Sequence, residues 1–244
     1  MNKQSKKKHG IIHIDTTILA LFLLLLLGYV ALELLIRILS DWHVDAVIRA
    51  VMLALICVIG YCGGRLHLQR TQSNKLFKLL FYLFFALYLY LILTFTLMDA
   101  TLGRGGDFIY NNVKIDDLRT HYIKWFVNLI PFRSIYEVYI LGFLKGYVNA
   151  YYMLLNLLGN ICAFMPLAFF LPLFFKKQRK WYFFLPTVLL CVAVVELLQF
   201  AFMVGSCDID DLILNAGGAL ALYFLLRLPI FKRLCEKLLQ GSFS

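Results

Sequence analysis

The sequence predicts an all-α integral membrane protein with six transmembrane helices, and three observations support this fold class. First, 62% of the 244 residues are hydrophobic, more than a soluble domain of this length needs. Second, six apolar segments are each long enough to cross the roughly 30 Å hydrocarbon core of a bilayer as a helix. Third, basic residues are concentrated in alternate connections between these segments, which is typical of multi-pass membrane proteins.

The six predicted spans cover residues 16–39, 44–64, 76–98, 151–175, 181–204 and 209–229. A short basic head precedes the first span, as in a signal peptide. The apolar run is too long for a signal peptide, however, and no small-residue cleavage site follows it. We therefore expect the first segment to remain in the protein as an uncleaved span.

The distribution of lysine and arginine predicts the orientation. These residues cluster in the second connection, in the fourth connection and in the C-terminal tail, whereas residues 40–43 and 205–208 contain none. Because basic loops remain on the cytoplasmic side, both termini are predicted to be cytoplasmic. Membrane topology thus accounts for much of the net charge of +10, and we expect a lipid bilayer, not a nucleic acid, as the partner.

The third connection, residues 99–150, is predicted to be a long external loop. Within it, residues 135–148 are apolar on much of their surface but too short to span, and their aromatic side chains suit the headgroup zone. We expect an interfacial or re-entrant helix there. The chain would then comprise an N-terminal three-span region (1–98), this loop (99–150) and a C-terminal three-span core (151–244).

Each of the last three spans carries one stripe of polar and small residues. Carboxylates and amides are costly inside a bilayer and rarely occur there without partners or a function. At helical spacing the members of each stripe share one face, and such stripes pack toward each other. They predict a polar pocket that opens outward and is lined by Asn156 and Asn160, by Glu196 and Gln199, and by Asp208, Asp210, Asp211 and Asn215.

Simple helix packing is the alternative explanation for these residues. Amides often bridge helices in membranes, and Asn156 fits that role best. Glu196 could pair with Arg37 or Arg49, which are predicted at a similar depth. Three crowded carboxylates are harder to explain by packing, because their mutual repulsion requires a nearby arginine, metal ion or proton.

Four sequence blocks resemble the VanZ-like family, which is named for a teicoplanin-resistance protein. The order and spacing of the blocks both fit, and together they cover roughly residues 125–229. The blocks are Asn128-Leu129-Ile130-Pro131-Phe132; Asn156-Leu157-Leu158-Gly159-Asn160 with Phe164 and Pro166; Glu196-Leu197-Leu198-Gln199; and Asp208-Ile209-Asp210-Asp211 followed by Asn215 and Gly218.

The chain departs from the family pattern at two positions. Family members often have a glycine soon after the proline of the fourth span, where this chain has Ala168, and an arginine just before the acidic cluster, where it has Ser206 and Cys207. If that arginine neutralises the acids, another must replace it here. Arg133, which follows the first block, is the candidate, and we include it with Asn128 in the predicted ligand pocket.

The resemblance implies a multi-pass protein of the bacterial cytoplasmic membrane, in a Gram-positive cell envelope. It also implies reduced susceptibility to teicoplanin-type lipoglycopeptides as one family phenotype. The leading functional hypothesis is an outward-facing pocket that binds or modifies an amphipathic ligand of the outer leaflet. A lipoglycopeptide and a lipid-linked wall precursor are both ligands of this kind.

Three other functions remain open on the sequence alone. In a membrane-embedded enzyme, Glu196 would act as general acid or base while Asp208 and Asp211 hold a divalent cation against a lipid phosphate. In a proton- or cation-coupled transporter, Glu196 would be the carrier. In a structural or partner-binding subunit, arginines would cap every carboxylate.

Overall fold

The computed structural model describes residues 21–31, 46–71, 73–97, 127–147, 149–202, 204–239 and 242. Most of these residues are helical, as the sequence predicts. They divide into two compact units, of which the first extends to Leu91 and the second begins at Ile92. Four described helices are long and apolar enough to cross a membrane, or five if one bent pair is counted as a span.

In its described residues, the first unit contains three helices: α1 (Leu21–Ala31), α2 (Ala46–Thr71) and α3 (Lys75–Leu97), whose last residues belong to the second unit. Gly60 of α2 permits a close approach of α1, because a Cβ there would lie 2.8 Å from Cδ2 of Phe22. Among the described residues, Phe22, Tyr29, Leu53, Ile56, Leu76 and Leu80 form an apolar core cluster.

The second unit contains two short strands and six helices in the described part of the chain. The strands β1 (Val127–Asn128) and β2 (Cys207–Asp208) pair in parallel. The helices are α4 (Ile135–Leu144), α5 (Ala150–Ala163), α6 (Leu167–Phe174), α7 (Trp181–Phe202), α8 (Ile209–Leu225) and α9 (Pro229–Leu239). Helix α8 is central, because it packs against α5, α6 and α7.

The fourth predicted span is divided into α5 and α6 by a turn at residues 164–166. Asn149 caps the start of α5, since its side chain accepts a hydrogen bond from the amide of Tyr151. Pro166 precedes the first residue of α6 and has no N–H to continue the α5 ladder. Met153–Phe174 nevertheless qualifies as one candidate span of 22 residues.

The sixth predicted span ends in a sharp corner. Helix α8 has 17 residues and is therefore about 25 Å long. Helix α9 leaves it at an angle of 85°. The predicted span 209–229 thus corresponds to α8 and the turn that follows, while most of the C-terminal tail forms a separate helix.

The other predicted spans are described to different extents. Those at 44–64, 76–98 and 181–204 correspond to α2, α3 and α7. Of the first, only Leu21–Ala31 is described, and residues 99–126 of the predicted external loop lie outside the described residues. The apolar segment predicted at 135–148 forms α4, which opens with a π-helical stretch from Ile135 to Leu141.

Helices α5 and α8 cross at very short range because one residue of α8 has no side chain. A Cβ added to Gly218 would overlap the backbone carbonyl of Ile161 in α5. Backbone atoms cannot move aside as a flexible side chain can. Only glycine therefore fits at Gly218, whereas the adjacent Gly217 is exposed and has no atom within 4 Å of its would-be Cβ.

This contact predicts opposite responses at the two adjacent glycines. We expect Gly218→Ala to lower the free energy of unfolding by about 1–3 kcal/mol, because it forces α5 and α8 apart. Gly217→Ala should raise it by up to about 1 kcal/mol, because alanine is the better helix former. Unfolding in detergent micelles measures both. Equal effects of the two substitutions would contradict the crossing described.

Candidate functional site

The predicted acidic cluster lies at the N-terminus of α8, where it caps the helix. Asp208 is the N-cap residue, with φ −124° and ψ 123°, and its Oδ1 accepts a hydrogen bond of 2.9 Å from the amide of Asp210. Asp210 and Asp211 occupy the first turn. Negative side chains are favoured at this end of a helix by the free amides and the helix dipole, so the cluster is positioned by ordinary helix chemistry.

The strand pair brings a distant segment to Asp208. Asn128 of β1 lies opposite Asp208 of β2, and its Nδ2 donates to Asp208 Oδ1 at 2.9 Å and to Ser134 Oγ at 3.0 Å. The Ser134 hydroxyl donates in turn to Asp208 Oδ2. Both oxygens of this buried carboxylate are therefore bonded to residues about 75–80 positions earlier in the chain.

Asp210 holds the turn between β1 and α4. Its side chain is completely buried, and its two oxygens accept hydrogen bonds from the backbone amides of Phe132 and Ile135. Phe132 has a positive φ of 64°, a conformation that is uncommon for a residue with a Cβ. The carboxylate thus stabilises a turn that the local sequence alone would not favour.

Asp211 faces α5. Its Oδ1 accepts a hydrogen bond from Nδ2 of Asn160, and its backbone carbonyl accepts one of 2.7 Å from Nδ2 of Asn215. The Asn215 side chain is buried, and among the described residues its Oδ1 has no hydrogen-bond partner. An unsatisfied buried acceptor of this kind costs about 1–3 kcal/mol, which a ligand hydroxyl or ammonium group would recover.

Helix α7 presents its polar pair to the interior of the second unit. Glu196 and Gln199 are both buried, whereas Leu197, between them in sequence, is 62% exposed. Oε2 of Glu196 accepts a hydrogen bond of 3.3 Å from the amide of Asp208. Nε2 of Gln199 donates to the carbonyl of Thr96 at 2.8 Å, so Glu196 meets the acidic cluster while Gln199 contacts the end of α3.

Cys207 lies beside these carboxylates, outside the candidate spans. Burial raises the pKa of its thiol, and the negative charges of Glu196, Asp208 and Asp211 raise the pKa further. A nucleophilic cysteine requires the opposite environment, in which positive charge favours the thiolate. The structure therefore gives no support to a catalytic role for this thiol.

The predicted arginine partner is not provided by Arg133. Its Nε lies 3.0 Å from Glu137, in an ion pair whose two side chains are 51% and 55% exposed. Asp208 and Asp210 accept the hydrogen bonds described above from neutral groups instead. Of the other two candidates, Arg37 lies outside the described residues and Arg49 belongs to the first unit.

The metal interpretation also lacks a ligand set. Among the residues that the structure describes, no three histidine, cysteine, aspartate or glutamate side chains are arranged as metal ligands. The carboxylate of Asp208 is turned to Asn128 and Ser134, while that of Asp211 is turned to Asn160. The two groups that would have held a divalent cation are thus bonded to different elements.

The structure joins most of the predicted pocket residues in two hydrogen-bonded groups at the start of α8. One group contains Asn128, Glu196, Asp208 and Asp210, and the other contains Asn160, Asp211 and Asn215. Asn156 is exposed, Arg133 pairs with Glu137 and Gln199 bonds to Thr96, so these three residues lie outside both groups.

Three contributors were not predicted: the Ser134 hydroxyl and the backbone amides of Phe132 and Ile135. The Ser134-x-x-Glu137 spacing is that of a helix capping box. That motif predicts that the Ser134 side chain caps α4. In the structure the side chain makes no capping hydrogen bond and donates to Asp208 instead. The two backbone amides could not be predicted from the sequence, because every residue except proline has an amide N–H.

These features define a multi-pass helical membrane protein in which buried carboxylates at the start of a helix join three other segments of the chain. The VanZ/LLP1 family model matches residues 81–232, which is more than half of the sequence. The chain belongs to the VanZ/LLP1 family. The match begins within α3, and so it is longer than the resemblance seen in the four sequence blocks. No curated protein and no solved structure matches the chain.

Proposed function

We propose that this VanZ-family protein binds an amphipathic ligand of the outer leaflet and thereby lowers susceptibility to teicoplanin-type lipoglycopeptides. The observation that carries the proposal is the buried Oδ1 atom of Asn215, which has no hydrogen-bond partner among the described residues. It lies beside Asp211, whose backbone carbonyl accepts a hydrogen bond from Nδ2 of Asn215. The carboxylate oxygens of Asp208 and Asp210 are bonded to the segment 127–135, whereas Asp211 and Glu196 are bonded to Asn160 and to the start of α8.

The ligand-contacting groups would lie between α5, α7 and α8. Asp211 and Asn160 are bonded across α5 and α8, Glu196 reaches the start of α8, and the Oδ1 atom of Asn215 offers a free acceptor among the described residues. All are acceptor-rich. They would suit the amine and hydroxyl donors of a lipoglycopeptide or of a sugar-bearing wall precursor.

The geometry of this site favours ligand binding over metal-assisted or cysteine-based catalysis. A metal-assisted enzyme needs Asp208 and Asp211 to converge on one cation, but Asp208 is bonded to Asn128 and Ser134. Nucleophilic catalysis by Cys207 is disfavoured because burial and the neighbouring acids raise the pKa of its thiol. A ligand-binding pocket requires neither, only acceptors held in fixed positions by the surrounding helices.

The proposal includes six spans, cytoplasmic termini and an outward-facing cluster. Support comes from the charge separation along α8. The acidic residues are at its N-terminus, and the basic residues Lys176, Lys177, Arg179 and Lys180 lie beyond its C-terminus, where Arg227 donates to the carbonyl of Arg179 at 3.1 Å. Basic residues favour the cytoplasmic face, which supports an external position for the acids.

Cysteine labelling on intact cells tests the orientation. We expect Asp107→Cys, in the predicted external loop, to react with a membrane-impermeant thiol reagent above the level of the wild-type protein. Lys176→Cys is the matched control on the opposite side and should react only after permeabilisation. Labelling of position 107 that requires permeabilisation would reverse the orientation and with it the outward-facing site.

Drug susceptibility tests the function. Expressed in a sensitive Gram-positive host, the protein should protect against teicoplanin more than against vancomycin, because the acyl chain of teicoplanin places it on the outer leaflet. Glu196→Gln, Asp211→Asn and Asn160→Ala should each weaken the protection. A single lost hydrogen bond to a charged group, about 1.5 kcal/mol, corresponds to roughly tenfold in ligand affinity.

Asn156→Ala is the matched control for Asn160→Ala. Asn156 lies one turn earlier on α5 and is exposed, so its removal should leave protection unchanged. Membrane abundance of every variant is measured in parallel. Identical inhibitory concentrations with and without the wild-type protein would refute the resistance function. Full protection by all three site variants at normal abundance would refute the site while leaving a resistance function intact.

A further inference from the structure

Helix α9 is an amphipathic helix whose apolar face is largely exposed in the described part of the chain. At about 100° per residue, its apolar and polar side chains separate onto opposite halves of its surface. Ile230 is 76% exposed and Leu234 is 57% exposed, and α9 contains no buried residue. The apolar half carries Ile230, Phe231, Leu234 and Leu238; the polar half carries Lys232, Arg233, Glu236 and Lys237.

The corner that precedes α9 is fixed by Arg227. The guanidinium carbon lies 3.2 Å from the centre of the Tyr223 ring. One nitrogen donates to the Tyr223 carbonyl at 2.7 Å and another to the Arg179 carbonyl at 3.1 Å. These contacts hold the corner residue Arg227 against α8 and the turn at Arg179, and α9 leaves this corner at 85° to α8.

The position of α9 indicates what its two faces meet. Through Arg227 it begins beside the basic turn Lys176–Arg179, at the opposite end of α8 from the acidic cluster. If α8 runs across the bilayer, a helix at right angles to it lies along the membrane plane. An exposed apolar face then meets acyl chains, and exposed lysines and arginines meet headgroups.

We propose that α9 binds the anionic phospholipid surface of the membrane at the basic end of the bundle. Ile230, Leu234 and Leu238 insert into the headgroup–acyl boundary. Lys232, Arg233 and Lys237 contact lipid phosphates, against which Glu236 is the single opposing charge of the helix. Its ion pair with Lys232 is 4.0 Å long and exposed. Exposed pairs of this kind are weak, so Lys232 remains available to a lipid phosphate. This role is independent of the pocket at the other end of α8.

Hydrogen exchange of the full-length protein in lipid nanodiscs tests the proposal. Amides of residues 229–239 should exchange more slowly in phosphatidylglycerol-containing nanodiscs than in pure phosphatidylcholine. Replacing Lys232, Arg233 and Lys237 by glutamine should abolish that difference, which is on the order of a hundredfold for three basic side chains. Exchange within α7 (Trp181–Phe202) reports that each variant remains folded.

Two further variants should change the exchange rate of α9 in opposite directions. Glu236→Gln removes the opposing charge and should slow exchange further in anionic nanodiscs only. Leu234→Asp disrupts the apolar face and should speed exchange in both lipids. Equal exchange of 229–239 in the two lipids would overturn the proposal. So would protection that persists in the Leu234→Asp and triple glutamine variants, which would indicate that α9 is protected by the protein itself and not by lipid.

Discussion

The burial of three carboxylates at the N-terminus of α8 is the constraint on which the second unit depends. Carboxylates withdrawn from water must be hydrogen-bonded, because leaving one without partners costs several kcal/mol. Here each acid takes its donors from a different place. Asp208 uses Asn128 and Ser134, Asp210 uses two backbone amides, and Asp211 uses Asn160. The start of α8 thus contacts β1, the turn that follows β1, and α5.

These contacts at the start of α8 explain the four sequence blocks of the family resemblance. The first block supplies Asn128 and the turn at Phe132, the second supplies Asn160, the third supplies Glu196 and the fourth supplies the acids themselves. Gly218 belongs to the same arrangement, because it permits the close crossing of α5 and α8 along the face that carries Asp211. Residues far apart in the chain therefore meet at the start of α8.

The sequence predicts the helices well and the site only in part. Long apolar runs specify α2, α3 and α7, and the short connection after α7 predicts that Glu196 meets α8. Of the docking of residues 127–135 only the contribution of Asn128 was predicted, because two of the other donors are backbone amides that any residue except proline offers. Charge compensation by Arg133 was expected because acids usually attract cations, yet neutral donors satisfy Asp208 and Asp210, and Arg133 pairs with the exposed Glu137.

Hydrogen exchange at the β1–α4 turn tests the central claim most directly, with Glu137→Gln as the exposed control for the buried Asp210. In Asp210→Ala, the amides of Phe132 and Ile135 lose their acceptors. Exchange of residues 130–136 should then accelerate by about ten- to a hundredfold, as expected for hydrogen bonds to a charged group. Glu137→Gln should leave it unchanged, and α7 should remain protected in both variants. If residues 130–136 exchange in Asp210→Ala at the same rate as in the wild-type protein, the claim that the buried carboxylate holds this turn is contradicted.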